Sequence, residues 1–365
     1  MQRKLTVEEY DKLLKSGIRV ICFGAGKFAL HLEWCERYLP ILHNITCFVD
    51  NDSSKIGGTY KIGDFSFPVI SFSALRSMDL TNTVFLITTV QFEEFAAQID
   101  ADSALRQHDV LLLCHFYYLL SDYVALQKKI PANLRLSREP QIPKKIHYCW
   151  FGGNPIPERY KNWMSSWKKY CPDYEIIEWN ETNYDITKNK YMKQAYEAKK
   201  WGFVPDYARL DIIYQHGGIY LDTDVELVAN LDDLLYQEAF CGFESNEFIA
   251  LGLGFGAKKG SPIIKEMMDD YDSRNFINDD GSLNLVASPR FQTNVLLRHG
   301  LQLNGEYQVC GGMTVYPEKS FAGMSVKTLK IALSPYTKSI HHYDGSWQTD
   351  EMKMGKQRRT NLFGD

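Results

Sequence analysis

The chain has 365 residues, 45% of them hydrophobic and 24% charged, a balance that suits a soluble globular protein long enough for two domains. A formal net charge of −4 argues against a dedicated nucleic-acid binder, and no apolar run reaches membrane-spanning length. The eight cysteines (22, 35, 47, 114, 149, 171, 241, 310) show no C-x-x-C pair and no metal-finger spacing, which points to reduced thiols. Met1–Glu9 lacks the apolar core of a signal peptide, so a cytoplasmic location is expected.

Residues 1–130 alternate strand and helix signals, the pattern of a small α/β domain. Arg19–Phe23 reads as a buried strand, and Gly24-Ala25-Gly26-Lys27-Phe28-Ala29 opens a helix behind it. Ile45–Val49 reads as a second strand ending at Asp50, Thr83–Thr89 as another and Val110–Leu113 as the last. A G-x-G-x-x-A turn after a strand, with an acid closing the next one, is a loose dinucleotide fingerprint. Gly24, Gly26 and Asp50 are therefore candidate nucleotide-binding residues. The same glycines equally suit a tight strand-to-helix turn with no ligand. Phe48-Val49-Asp50-Asn51-Asp52, with Lys55-Ile56-Gly57-Gly58 behind it, resembles the Rossmann-like N-terminal domain of some bacterial surface-polysaccharide enzymes, including sugar acetyltransferases. There such a domain binds a nucleotide or organises the assembly, and both readings stay open.

Residues 131–141 are polar and proline-punctuated, a linker signal, and 142–365 read as the second domain. Ile142-Pro143-Lys144-Lys145-Ile146-His147-Tyr148-Cys149-Trp150-Phe151-Gly152-Gly153 gives a strand over Ile146–Trp150 and two glycines that let the backbone approach a ligand. Asn162–Tyr170 reads as a short helix whose Trp163 and Trp167 suit the core more than a site. Pro172–Asn180 gives a second strand and Tyr191–Lys200 an amphipathic helix. Pro205 then suits a first helical turn, Leu210, Ile213 and Tyr214 repeat at helical spacing, and Gly217-Gly218 stop the helix. Asp206 and Arg209, three residues apart, share a helical face. Ile219–Val225 alternates as a strand, with Tyr220, Asp222 and Asp224 on one face. Like charges at i and i+2 repel unless they point into water or hold a cation.

The stretch from Asp206-Tyr207-Ala208-Arg209-Leu210 through Gly217-Gly218-Ile219-Tyr220-Leu221 to Asp222-Thr223-Asp224 closely resembles the sugar-binding DXD region of glycosyltransferase family 32, related to yeast mannosyltransferases and to the glucosylating domains of large clostridial toxins. The resemblance implies a GT-A, Rossmann-like nucleotide-diphospho-sugar transferase fold for the second domain. Ile142–Gly153 resembles the opening I-P-K-x-I-H-x-x-W-x-G-G of the same family, which implies donor-binding roles for Trp150, Gly152 and Gly153. Trp150 falls where an aromatic ring stacks on the donor base. Ser288 stands where the family carries glycine in a G-P-x-x-x-T segment, so the path of that loop is open. Leu251–Ala257 reads either as a strand lining the sugar pocket or as a tight bend. Ile340-His341-His342-Tyr343-Asp344-Gly345-Ser346-Trp347 resembles the family's H-H-x-x-G-S-W ending. It implies a metal shell of Asp222, Asp224 and His342, with His341 as the alternative, and Ser346 and Trp347 closing over the diphosphate.

Mn2+ or Mg2+ is the implied cofactor and a UDP- or GDP-sugar the implied donor. Asp206, Arg209, Asp222 and Asp224 form the expected catalytic set, with Tyr220 shaping the pocket. The leading expectation is a retaining enzyme adding sugar to a glycan or lipid-linked oligosaccharide in bacterial capsule or O-antigen synthesis. A toxin-like enzyme glycosylating a protein and a non-catalytic sugar-nucleotide-binding module are the alternatives. The basic tail Lys353–Arg359 is expected in solvent, and a peripheral contact with the inner face of the membrane stays open.

Overall fold

A computed structural model describes residues 3–345 and 350–363. The chain divides into two compact units, one ending at Val124 and the other beginning at Ala125. In the first, strands Arg19–Phe23 (β1), Ile45–Val49 (β2), Thr59–Ile62 (β3), Phe65–Ile70 (β4), Thr83–Ile87 (β5) and Val110–Leu112 (β6) form one sheet in the order β3-β4-β2-β1-β5-β6. All neighbours pair in parallel except β3, which folds back antiparallel on β4. The apolar runs of β1 and β5 are those of a sheet covered on both faces, and Cys22, Phe23, Phe85 and Ile87 are fully buried. The β3–β4 hairpin escapes a pattern reading because Pro68 interrupts the alternation of Phe65, Phe67 and Val69.

The second unit carries Lys145–Cys149 (β7), Glu175–Trp179 (β8), Gly218–Tyr220 (β9), Val225–Leu227 (β10), Ala239–Ser245 (β11), Phe248–Ile249 (β12), Phe255–Ala257 (β13), Gln308–Cys310 (β14), Met313–Tyr316 (β15) and Ser339–His341 (β16). Its main sheet has the order β14-β15-β11-β13-β9-β7-β8, with β12 paired to β11. β7, β9, β11 and β15 point the same way, and β13 runs against them. The carboxyl ends of β7, β9 and β11 and the amino end of β13 therefore lie along one edge, where open α/β sheets bind ligands. The helix Pro205–His216 is buried from Asp206 to Ile213, on polar and apolar positions alike, as expected for a central rather than a surface helix.

Two expectations change here. Ile219–Val225 is not one strand: β9 stops at Tyr220, the Val225 amide donates to the Asp222 carbonyl at 3.0 Å, and β10 leaves to pair with β16. The residue alternation runs unbroken across this turn, so periodicity cannot reveal it. Residues 131–141, read as a linker, lie within the second unit. The amides of Leu136 and Ser137 bond the Tyr236 carbonyl, that of Gln141 bonds Leu235, and Leu134 joins a core cluster.

His147 accounts for part of the local geometry. It is fully buried, with Nε2 2.9 Å from the Gly217 carbonyl, and its Nδ1 accepts the Trp179 indole N–H at 3.0 Å. Indole only donates, so the hydrogen of His147 is on Nε2. Gly217 and Gly218 hold φ of 63° and 116°, and a Cβ on Gly218 would sit 2.9 Å from the His147 ring. The histidine and the double glycine thus fix the entry to β9 together.

Burial pushes the His147 pKa down to about 4. The unfolded chain, with a histidine pKa near 6.5, then binds the proton first as pH falls. The stability linked to this group is complete above about pH 6.5 and is lost toward pH 4, by about 3 kcal/mol. Urea unfolding of the full chain at about pH 7 and about pH 4.5 is expected to show this loss, and His147→Gln to reduce it. Equal pH dependence in both proteins would contradict the assignment.

Candidate active site

Along this edge opens a cavity of about 640 Å³, whose wall includes Trp150, Asp206, Arg209, Asp222, Asp224 and His341. Asp206 and Arg209 are 5% and 4% exposed. Their ion pair follows from the i,i+3 spacing on the Pro205–His216 helix. Arg209 also donates to Ser288 Oγ at 2.7 Å, approaches Asp222 Oδ1 to 3.6 Å and lies 5.9 Å from the centre of the Tyr220 ring. Its Nε is buried with no partner. Burial pushes Asp206 up to about 6, against the pull of Arg209 and the Ser288 hydroxyl, which favour its ionised form. Ser288, where glycine was expected, opens the helix Ser288–Arg298 and supplies the hydroxyl that the guanidinium bonds.

The turn after β9 turns both acidic side chains toward this cavity. Asp224 Oδ1 lies 3.2 Å from His341 Nε2, and Asp224 Oδ2 accepts the Asp344 amide at 3.0 Å. Asp222 keeps 31% of its side chain open. Burial opposes ionisation of Asp224, yet His341 pulls its pKa down to about 2. Burial raises Asp222, Arg209 counters it, and the charge of Asp224 raises it further. Burial likewise disfavours charge on His341, but Asp224, Asp222 and Glu244 hold its pKa above the ordinary histidine value.

Among the described residues, Asp222, Asp224 and His341 bring one ligand atom each within 4.8 Å of one another. Two carboxylate oxygens, one imidazole and a buried, unpartnered His341 Nδ1 fit a hard divalent cation. His342 does not join this group. Its Nε2 pairs with Glu226 Oε2 at 3.0 Å, and its ring stacks on Trp163 at 4.1 Å between centres. Adjacent residues of an extended strand point to opposite sides, so the pairing of β16 with β10 sends His341 to the cavity and His342 away. Trp163, read as core, is the half-buried partner of that histidine.

Trp150 lines the cavity, its indole N–H donating to the Asn154 carbonyl and its ring edge-on to Tyr160. Gly152 has φ of 96°, and a Cβ there would lie 2.9 Å from the indole of Trp201, another wall residue. Gly153, with φ of 70°, has open space beside it. Tyr220 is buried in the wall. Ser346 and Trp347 lie outside the described residues.

Trp201 and Glu244 line the wall without a signal in a single sequence, and Gly252 joins them from the glycine-rich stretch Leu251–Ala257. Gly252 sits in the short turn Leu251–Leu253 that leads into β13, which combines the bend and the strand left open above. A Cβ on Gly252 would overlap Asp222 Oδ2 and sit 3.5 Å from Arg209 Nη1. A search for glycines in apolar surroundings finds it; its carboxylate contact needs the fold.

In the first unit, Gly24 has φ of 106°, and a Cβ there would meet Phe95 and the threonines at 88 and 89. The Asp50 carboxylate accepts the Ala25 amide at 2.7 Å and the Asp52 amide at 2.9 Å and pairs with Lys55 at 3.1 Å. Asp50 thus ties its own loop, whereas Gly26 has open space beside it.

Residues 157–241 match the family described as glycosyltransferase sugar-binding region containing DXD motif, and the match takes in Asp206, Arg209, Asp222 and Asp224. Inositol phosphoceramide mannosyltransferase 3 of Schizosaccharomyces pombe is 32% identical over 135 residues, 35% of this chain and 36% of that protein. Subversion of eukaryotic traffic protein A of Legionella pneumophila is 29% identical over 126 residues, 27% of this chain and 19% of that protein. The chain thus spans between 19% and 36% of the length of these curated relatives. A solved structure titled PaToxG Glycosyltransferase aligns with a TM-score of 0.36 and 20% identity, over 44% of this chain and 69% of that one.

His341→Ala is expected to abolish stabilisation by Mn2+ in a thermal-shift titration, and His342→Ala to keep it while lowering the starting melting temperature. The reverse pattern would reassign the ligand. Gly252→Ala is expected to lose the Mn2+ shift with an unchanged circular dichroism spectrum, because its methyl displaces the Asp222 carboxylate. A full Mn2+ response in that variant would show that the carboxylate position is not needed.

Proposed function

We propose that this chain is a metal-dependent, retaining glycosyltransferase of GT-A type that moves a sugar from a nucleotide-sugar donor to a glycan acceptor. The observation that carries the reading is the meeting, in one cavity, of a buried Asp–Arg pair with two carboxylates and an imidazole. A sugar leaving a nucleoside diphosphate develops negative charge on the phosphate and positive charge at the anomeric carbon. Arg209, always protonated and with Nε unpartnered, faces the first charge or the sugar hydroxyls, while the carboxylate of Asp206 receives hydroxyls. Tyr220 bounds the sugar, and Trp150 offers its ring to the base. A divalent cation held by Asp222, Asp224 and His341 would neutralise the diphosphate oxygens. These seven side chains orient the donor for attack by a hydroxyl nucleophile.

No helix among the described residues is long and apolar enough to cross a membrane. The proposal places the enzyme in the cytoplasm, adding sugar to a capsule or O-antigen precursor at the inner face of the membrane. The names of the mannosyltransferase relatives put mannose first among the donor sugars to try.

The test is nucleoside diphosphate release from GDP-mannose, UDP-glucose, UDP-galactose and UDP-N-acetylhexosamines in the presence of Mn2+. Asp222→Asn and Asp224→Asn are each expected to lower release by about 10²-fold or more with the fold intact. Unchanged release in both variants would refute the site.

A further inference from the structure

Glu244 is an acidic side chain in the cavity wall that none of the roles above uses. It lies in β11 where the register against β12 slips, Phe243 facing Ile249 and Ser245 facing Phe248. The slip makes Glu244 the extra residue of a β-bulge, and bulges re-aim single side chains beside active sites. The residues on either side are spent on packing: Phe243 is fully buried and Ser245 is 6% exposed. Glu244 alone of the three stays partly open, toward the cavity. Its oppositely charged neighbours are His341 and Lys327.

The sheet order says which end of a bound donor Glu244 would meet. Trp150 follows β7, Asp222 follows β9, and Glu244 closes β11, in the order β7-β9-β13-β11. With strands about 4.8 Å apart, β11 lies about 14 Å from β7. A donor with its base at Trp150 and its diphosphate at Asp222 and Asp224 therefore has its base end far from Glu244. Cys241 and Phe243 pack in the core that includes the Pro205–His216 helix, whereas Phe240 belongs to the core on the opposite face. The charged neighbours of Glu244, namely His341, Glu318 and Lys327, all lie in segments after β15 and not on the helix that carries Asp206 and Arg209. Glu244 thus approaches the reacting centre from the side of His341, where the diphosphate departs.

We propose that Glu244 is the proton acceptor for the attacking hydroxyl, an assignment that rests on the glycosyltransferase reading above. The acceptor oxygen bonds to the anomeric carbon, and the bond from that carbon to the diphosphate oxygen breaks with its electron pair remaining on the diphosphate. The hydroxyl proton passes to the Glu244 carboxylate. The aspartates nearby have other partners: Asp206 pairs with Arg209, Asp224 with His341 and the Asp344 amide, and Asp222 faces Arg209 and belongs to the proposed cation set. An acceptor entering on the face from which the diphosphate leaves meets Glu244 and not Asp206. That is the approach a retaining transfer without a protein nucleophile requires.

The experiment uses the full chain with Mn2+ and the donor panel above, without added acceptor, so that water is the nucleophile. Glu244→Gln and Glu244→Ala are expected to keep the thermal stabilisation that GDP or UDP with Mn2+ gives the wild type. Both are expected to lose donor hydrolysis by about 10²-fold or more. Sodium azide, an anionic nucleophile with no proton to lose, is expected to restore donor consumption by Glu244→Ala. The glycosyl azide formed should have the anomeric configuration of the donor. Undiminished hydrolysis in both variants, failure of azide to restore turnover, or loss of nucleotide stabilisation in both would overturn the role. A glycosyl azide of inverted configuration would also overturn it, by making Glu244 the nucleophile. A wild type that consumes no donor would overturn the transferase reading and this role with it, whereas an active wild type beside an equally active Glu244→Ala overturns the role alone.

Discussion

The second unit brings two carboxylates together in a turn between two sheets, and the rest of the site answers that repulsion. With ligand atoms within 4.8 Å of each other, Asp222 and Asp224 repel by about 3 kcal/mol at an effective dielectric near 20. Burial, and then the charge of Asp224, pushes Asp222 up, whereas His341 and the Asp344 amide overcome burial to bring Asp224 down to about 2. Arg209 reaches toward the first and His341 holds the second, so each acid has its own countercharge from a different element. A buried arrangement of this kind is worth keeping where a further cation or a charged ligand completes it.

Long-range pairings place each of these groups. The Pro205–His216 helix is buried along its length, so the Asp206–Arg209 pair is fixed by packing and not by surface rotamers. His341 reaches Asp224 only because β16 pairs with β10, the short strand that leaves the main sheet at the acidic turn. Gly252, at the entrance to β13, leaves the space that the Asp222 carboxylate fills. Strands far apart in the chain thus place their ends around one cavity at the carboxyl edge of the sheet.

Much of this was legible in the sequence, and what was not has a physical cause. Pro205 and Gly217-Gly218 bracket the helix because their backbone preferences are local, and the structure ends it where they indicate. The break after Tyr220 was hidden because the alternation of apolar and polar residues continues through the turn. Which of His341 and His342 stands beside the acidic pair could not be read from their adjacency; strand pairing brings His341 to Asp222 and Asp224. Ser288 stood out as a departure from the family pattern, but its bond to Arg209 joins residues far apart in sequence. Glu244 and Gly252 carry no motif at all, since their meaning depends on what lies across the sheet. In the first unit the glycine turn was visible, whereas the internal bonds of the Asp50 carboxylate were not.

The most direct test of the central claim is a crystal of the full chain grown with GDP or UDP and Mn2+, with diffraction recorded at the manganese absorption edge. The account predicts one anomalous peak within ligand distance of Asp222, Asp224 and His341, joined to the nucleotide diphosphate. A manganese peak elsewhere, or a nucleotide bound away from these side chains, would contradict it.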